Sequence, residues 1–374
     1  MFFRDVTGQQ AIKDRLIQSV KDERVSHAQL YAGHEGCGNL ALALAYAQYV
    51  SCQNKQNGDS CGECVSCKKY QKLIHPDLHF VFPVVKTPKL KEPVSDNFLD
   101  EWRKMVLQSP YFNLDDWFSF IGTENAQGMI YSHQSEEIIR KLSLKSYESE
   151  YKVMIIWMPE KMHVACSNKL LKMIEEPPVK TLFLLVTESE EEIIATIRSR
   201  CQLIKVPSIQ PEAMKTALHQ LPQANGTDLD QVVHLSRGNY RRAMQLLQPD
   251  EQDRYNLERF KELMRFAYGR KFLDLFAWVG TVSEIGRERQ KVFLQYALGL
   301  VRENFMHNLK NPGLVFMDQE EMEFSSRFSP FINERNVVSL TEELEKAYVH
   351  IAMNGHARII FTDLSLRVVK LIRK

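Results

Sequence analysis

The sequence predicts an α/β domain built on a parallel sheet, followed by an all-helical half. Three observations carry this expectation. Nearly continuous apolar runs at 152–157 and 181–187 alternate with helical segments up to residue 207, as buried parallel strands and their crossover helices do. A glycine-rich turn, Gly33 to Gly38, separates an apolar run at 27–32 from an alanine-rich stretch at 40–50; strand, glycine loop and helix is the local order of a phosphate-binding βα unit. After Pro207 the strand pattern stops, and from Leu257 to Lys374 the periodicity is helical.

Taken in order, 9–21 reads as an amphipathic helix, 27–32 as a strand and 40–50 as a helix. Residues 82–122 hold Pro83, Pro88, Pro93 and Pro110 and then a run of aromatics, Tyr111, Phe112, Trp117, Phe118 and Phe120. Prolines argue against a long helix or a central strand, so this is expected to be an inserted segment with a short helix near 100–107. Its aromatics are too many to leave in water, and packing within the chain is the favoured fate. Helices are expected at 135–144, 167–176 (stopped by Pro177 and Pro178) and 190–198, and a last strand at 202–206. Three short helices, 211–221, 228–236 and 240–247, precede Pro249 and a charged linker at 250–254. A long helical region, 336–372, closes the chain.

At 374 residues the chain is expected to hold two or three domains. Lys and Arg total 48 against 47 Asp and Glu, which argues against a polyanion-coating protein while allowing a local basic face. No apolar run is long enough to span a bilayer, and 1–10, with Arg4 and Asp5, lacks the core of a signal peptide. The cytoplasm is the expected compartment.

The glycine loop reads Gly33-His-Glu-Gly-Cys-Gly-Asn-Leu40. A working phosphate loop uses glycines, here Gly33, Gly36 and Gly38, to aim backbone N–H groups at phosphates. It then needs Lys for the β- and γ-phosphates and Ser or Thr for Mg²⁺. Those positions hold Asn39 and Leu40. Asn39 supplies no cation, losing a charge-assisted bond of roughly 1.5–3 kcal/mol, and Leu40 cannot ligate a metal. The run at 152–157 ends in Trp157 and Met158 where a hydrolase places an Asp and a Glu; Glu160 lies beyond Pro159. ATP binding and hydrolysis are therefore not expected.

Four of the seven cysteines, Cys52, Cys61, Cys64 and Cys67, fall within sixteen residues. Their spacing suits a closed four-thiolate zinc site of structural type. Cys37, Cys166 and Cys201 lie outside it and are expected to be buried thiols.

The segments 168–178 (Asn-Lys-Leu-Leu-Lys-Met-Ile-Glu-Glu-Pro-Pro) and 197–201 (Ile-Arg-Ser-Arg-Cys), with a zinc module straight after the loop helix, resemble the clamp-loader AAA+ family. The degenerate loop resembles its delta-prime branch in bacterial DNA polymerase III. The resemblance covers 1–75 and about 130–248; the insertion has no counterpart in it. It implies a RecA-like AAA+ P-loop domain (1–207) with a zinc module at 52–67 and an insertion at about 82–122. A three-helix lid (208–249) and a helical collar (250–374) would follow. It further implies a stator subunit without ATPase activity of its own. That subunit would sit in a hetero-pentamer with gamma/tau ATPase and delta subunits, meeting the sliding clamp and primer-template DNA through the complex. Ser199, Arg200 and Cys201 match the motif whose arginine finger enters a neighbour's ATP site. Thr187 and Arg241 match the two sensor positions.

Two other readings compete. An active gamma/tau-type ATPase needs a Lys in place of Asn39 and a carboxylate in place of Trp157 or Met158. A zinc-dependent DNA-binding protein draws support from Lys68, Lys69 and Lys72 beside the cysteines and is weakened by the near-zero net charge. A P-loop kinase of small molecules fails on the missing Lys.

Overall fold

The computed structural model describes residues 1–88, 90–123, 128–224, 228–247, 251–309 and 315–373. Two compact units emerge, Met1–Met244 and Gln245–Lys374. The first holds a five-stranded, all-parallel sheet. Its strands are β1 (Ala28–Ala32), β2 (Leu78–Val81), β3 (Lys152–Trp157), β4 (Thr181–Thr187) and β5 (Gln202–Lys205), in spatial order β2-β3-β4-β1-β5. Every residue of β1, β3 and β4 is buried, which is why these strands read as continuous apolar runs. β5 is an edge strand with only Ile204 buried. β2, the other edge, was not expected. It is four residues long, contains His79 and lies between Pro76 and Pro83, so it carries little strand signal.

Helices α1 (Gln10–Lys21), α2 (Asn39–Val50), α3 (Val65–Gln71), α6 (Gln134–Ser143) and α7 (Val164–Glu175) belong to this unit. α2 is buried along nearly its whole length, so its alanines serve close packing against the sheet rather than an amphipathic face. α7 begins three residues before the expected start, capped by the His163 ring, which accepts from the Ala165 N–H at 3.2 Å. The helix expected at 190–198 shrinks to α8 (Ala195–Arg198). Ile193 turns inward to 5% exposure and Ile194 is extended (φ −55°, ψ 133°); burying an isoleucine beside three consecutive glutamates takes the chain out of helix there.

The insertion carries two helices where one was expected, α4 (Leu99–Gln108) and α5 (Leu114–Phe120). Its aromatics pack inward. Trp102 and Trp117 are fully buried; Trp102 stacks on Phe82 at 4.2 Å and meets Phe112, Trp117 and, from β3, Trp157 at 5.3–5.5 Å. The Trp117 indole N–H donates to the Pro83 carbonyl at 2.9 Å. Leu107 and Phe120 remain exposed.

α9 (Pro211–His219), α10 (Leu229–Ser236) and the start of α11 (Tyr240–Leu247) complete the first unit. The second is all-helical: α12 (Glu251–Gly269), α13 (Phe272–Glu284), α14 (Arg287–Asn308), α15 (Gln319–Phe328), α16 (Val337–Ala352) and α17 (Ala357–Leu371). Its core gathers Phe260, Trp278, Phe293, Leu344 and Phe361. The long region expected at 336–372 is two helices, broken at Asn354, whose φ of +65° opposes helix continuation. Pro249 and Asp250 of the expected linker lie outside the described residues; Glu251 to Arg254 are the first turn of α12.

Candidate functional site

The glycine loop joins β1 to α2. Gly36 (φ +70°) and Gly38 (φ +90°) hold left-handed backbone that a side chain would strain. A Cβ on Gly36 would strike the Asn239 side chain, and one on Gly38 would meet the Tyr111 ring at 3.1 Å. The loop is thus shaped as a phosphate cradle and closely covered by other parts of the chain.

Asn39 closes it from within. Its amide donates to the carbonyls of Thr187 (3.0 Å) and Gly33 (3.3 Å), while its Oδ1 accepts from the Leu40 N–H at 2.8 Å. An N–H that opens a helix and would face an anion is spent on a neighbouring side chain. Leu40 is 1% exposed and packed in the core.

Arg241, at the start of α11, forks onto two carboxylates. Its Nη2 donates to Asp116 Oδ1 at 2.7 Å with Nε on Oδ2, and its Nη1 donates to Glu35 Oε1 at 3.0 Å. Burial opposes the charge, and Asp116 and Glu35 outweigh it, raising the pKa further above the ordinary arginine value. Asn113 and Asn239 both donate to Glu35, at 3.2 and 3.3 Å. Glu35, Asn113, Asp116 and Asn239 were not singled out from the sequence. No motif links them, since they come from the loop, the insertion and the segment before α11.

Behind the loop, Glu160 accepts from the Thr187 hydroxyl at 2.8 Å and the Glu188 N–H at 3.3 Å. Burial, then the negative charges of Glu35 and Glu160, push the Glu188 carboxyl up to about 8. A carboxyl stands near the end of β3 after all, but through Glu160, and it is bonded to Thr187.

The Cys52, Cys61, Cys64 and Cys67 sulfurs all lie within 4.8 Å of one another, the one such metal-competent group among the described residues. Cys52–Cys61 and Cys61–Cys67 are 3.7 and 3.9 Å apart. A tetrahedral zinc with Zn–S near 2.3 Å sets sulfurs about 3.8 Å apart, so the four thiols fit a divalent ion such as zinc. Backbone N–H groups of Cys61, Cys64 and Cys67 point at the sulfurs of Cys52, Cys61 and Cys64 at 3.3–3.4 Å, which favours thiolates. Of the remaining cysteines, Cys37 and Cys166 are buried as expected and Cys201 only partly; burial pushes all three thiols up to about 11.

Arg200 follows α8 between Ser199 and Cys201. Its Nε donates to Glu175 Oε2 at 3.0 Å and its Nη1 to the Thr196 carbonyl at 3.0 Å, with a third of the side chain exposed. It lies on the surface of its own unit.

A parallel sheet with strand order β2-β3-β4-β1-β5 and a glycine loop after β1 defines a P-loop-type α/β protein. A family model described as DNA polymerase III, delta subunit, matches residues 8–210, and the chain belongs to that family. DNA polymerase III subunit delta' of Bacillus subtilis is 29% identical over 203 residues, 54% of this chain and 49% of that protein. Subunit tau of the same organism is 25% identical over 250 residues, 66% of this chain and 37% of that one. A solved gamma-subunit-related protein of Thermotoga maritima aligns with 96% of this chain and 99% of its own at 13% identity, with a TM-score of 0.45. The chain spans about half the length of the curated relatives it matches. No helix among the described residues is long and apolar enough to cross a membrane.

Proposed function

We propose that the chain is a non-hydrolysing clamp-loader subunit of delta-prime type. In this reading it acts in DNA replication as a stator and lends Arg200 to the ATP site of a neighbouring subunit. The observation that carries the reading is Asn39. Where catalysis needs a cation it is bonded to the carbonyls of Gly33 in the loop and Thr187 at the end of β4, and beside it Leu40 is buried where a metal-ligating hydroxyl would stand. Relatives named as delta' and as tau both align with the chain, so the choice between them rests on these residues and not on overall similarity.

The same reading divides the chain into an AAA+ α/β domain (1–207), a lid (208–249) and a collar (250–374). It assigns gamma/tau and delta subunits as ring partners, with clamp and primer-template DNA met through the complex in the cytoplasm. Zinc is the proposed occupant of the four thiols, in a structural role. With Asn39, Leu40 and Arg241 unavailable to a nucleotide of its own, the chain affects ATP chemistry through a neighbour. Phosphoryl transfer builds charge on the γ-phosphate oxygens, and a guanidinium supplied in trans stabilises it. Arg200 is half-tethered to Glu175, an exposed pair of the kind worth less than about 1 kcal/mol, so its release costs little.

The test is a ring rebuilt with Arg200→Ala or Arg200→Lys. Both are expected to assemble normally and to slow clamp- and DNA-stimulated ATP turnover, because lysine keeps the charge and loses the planar fork. Wild-type turnover in both variants would reject the assignment.

A further inference from the structure

The insertion does more than bury its tryptophans. From the α4–α5 connection into the first turn of α5, its chain runs across the glycine loop and contributes three side chains there. Tyr111 is 8% exposed and lies against Gly38. Its hydroxyl accepts the Thr7 backbone N–H at 2.9 Å, and its ring packs on Tyr240 at 4.5 Å. Asn113 donates to Glu35, inside the loop. Asp116 takes the fork of Arg241. The Tyr240 N–H, in turn, donates to the Gly36 carbonyl at 3.0 Å. Loop, insertion and the first turn of α11 are thereby joined through one set of contacts.

These contacts have the character of a ligand. A nucleotide in such a cleft lays its phosphates over the loop and offers an anion to pair with an arginine on the following helical segment. Here the space over Gly38 is taken by the Tyr111 ring, and the anion is the Asp116 carboxylate. We propose that segment 111–116 is an internal stand-in for nucleotide. It excludes nucleotide from the loop and holds the start of α11 against the α/β body whether or not ATP is present. The inference rests on reading Gly33–Gly38 as a degenerate phosphate loop, and it supplies a reason for the insertion: a subunit that never binds ATP gains a fixed, nucleotide-independent geometry.

Asp116 also belongs to the cap of α5, where Asn113 N–H donates to its Oδ2 at 3.2 Å and its own N–H donates to Asn113 Oδ1 at 2.9 Å. Asp116→Asn keeps an acceptor for that cap while removing the charge and the two-oxygen fork, so it separates the Arg241 contact from the folding of α5. Tyr111→Ala removes the ring.

The experiment is amide hydrogen exchange on the full chain, read at α11, α5 and the central strands, with and without Mg-ATP at several millimolar. In wild type, α11 is expected to be protected to the same degree with and without ATP. In Asp116→Asn and Tyr111→Ala, α11 amides are expected to exchange about tenfold faster or more, while the central strands keep wild-type protection, as local opening of one segment requires. α5 is expected to hold in Asp116→Asn. If Tyr111→Ala fails to fold, Asp116→Asn decides alone. Unchanged α11 exchange in Asp116→Asn, or ATP-dependent protection of α11 in wild type, would overturn the proposal. Loss of the Arg200 effect in the rebuilt ring would leave this result untouched, so failure of the two readings is distinguishable.

Discussion

The cysteine cluster and the glycine loop are both short turns that aim backbone N–H groups at a point, yet they end in opposite states. In the cluster, the N–H groups of Cys61, Cys64 and Cys67 point at sulfurs that already stand at the spacing of a tetrahedral ion. That spacing suits an incoming divalent ion. In the loop, the Leu40 N–H is taken by Asn39, the nearby arginine by Asp116 and Glu35, and the face of Gly38 by Tyr111. The lesson is that a turn's backbone sets what a site could bind, while the side chains delivered to it set whether it does.

The largest effect that can break the comparison is on the cysteine side. Purified protein is expected to carry one zinc per chain, and Cys64→Ser or prolonged chelation is expected to remove it. Melting of the first unit should then fall by about 10 °C or more, because losing a structural metal is among the large destabilising events and ~1 kcal/mol shifts a domain of this size by about 2–4 °C. Metal analysis with calorimetry checks it. Zinc-free protein with four freely reacting thiols and an unchanged melting temperature would remove the contrast.

A smaller effect sharpens the loop side. Partial burial, then the negative charges of Glu35 and Glu160, push the Glu188 carboxyl up to about 8 from its ordinary 4.5. Its folded pKa is raised, so the folded state binds the extra proton between those values and stability falls as pH rises through that window. Glu188→Gln removes the titration. The variant is expected to match wild type near pH 4 and to exceed it by about 1–2 kcal/mol at pH 8.5, a value discounted from the full shift for the carboxyl's partial exposure. Denaturant melts at the two pH values test this; a constant difference would mean that folding leaves the pKa of Glu188 unchanged.

What could be read from the sequence divides along the same line. β1, β3, β4 and the thiolate spacing were legible because their signals are local: apolar runs, and cysteines with two residues between them at 61, 64 and 67. Asn39 and Leu40 were legible as standing where a working phosphate loop places Lys and Ser or Thr. They did not reveal that Asn39 bonds Thr187, a contact 148 residues apart in sequence. Tyr111 was visible as one of several aromatics needing cover, but its place over Gly38 depends on how the insertion folds back, which no periodicity encodes. Asp116 was not singled out at all, because its pairing with Arg241 spans 125 residues. β2 and the truncated α8 were misread for a different reason: four residues around a histidine, and three adjacent glutamates, carry weak or misleading local patterns.

A glycine loop filled by the chain's own residues, as proposed, takes no nucleotide. Equilibrium titration of the purified chain with Mg-ATP in a calorimeter tests it most directly. No saturable binding tighter than about 1 mM is expected, with α11 and the loop unchanged. A micromolar Kd, abolished by a bulky substitution at Gly38, would contradict it.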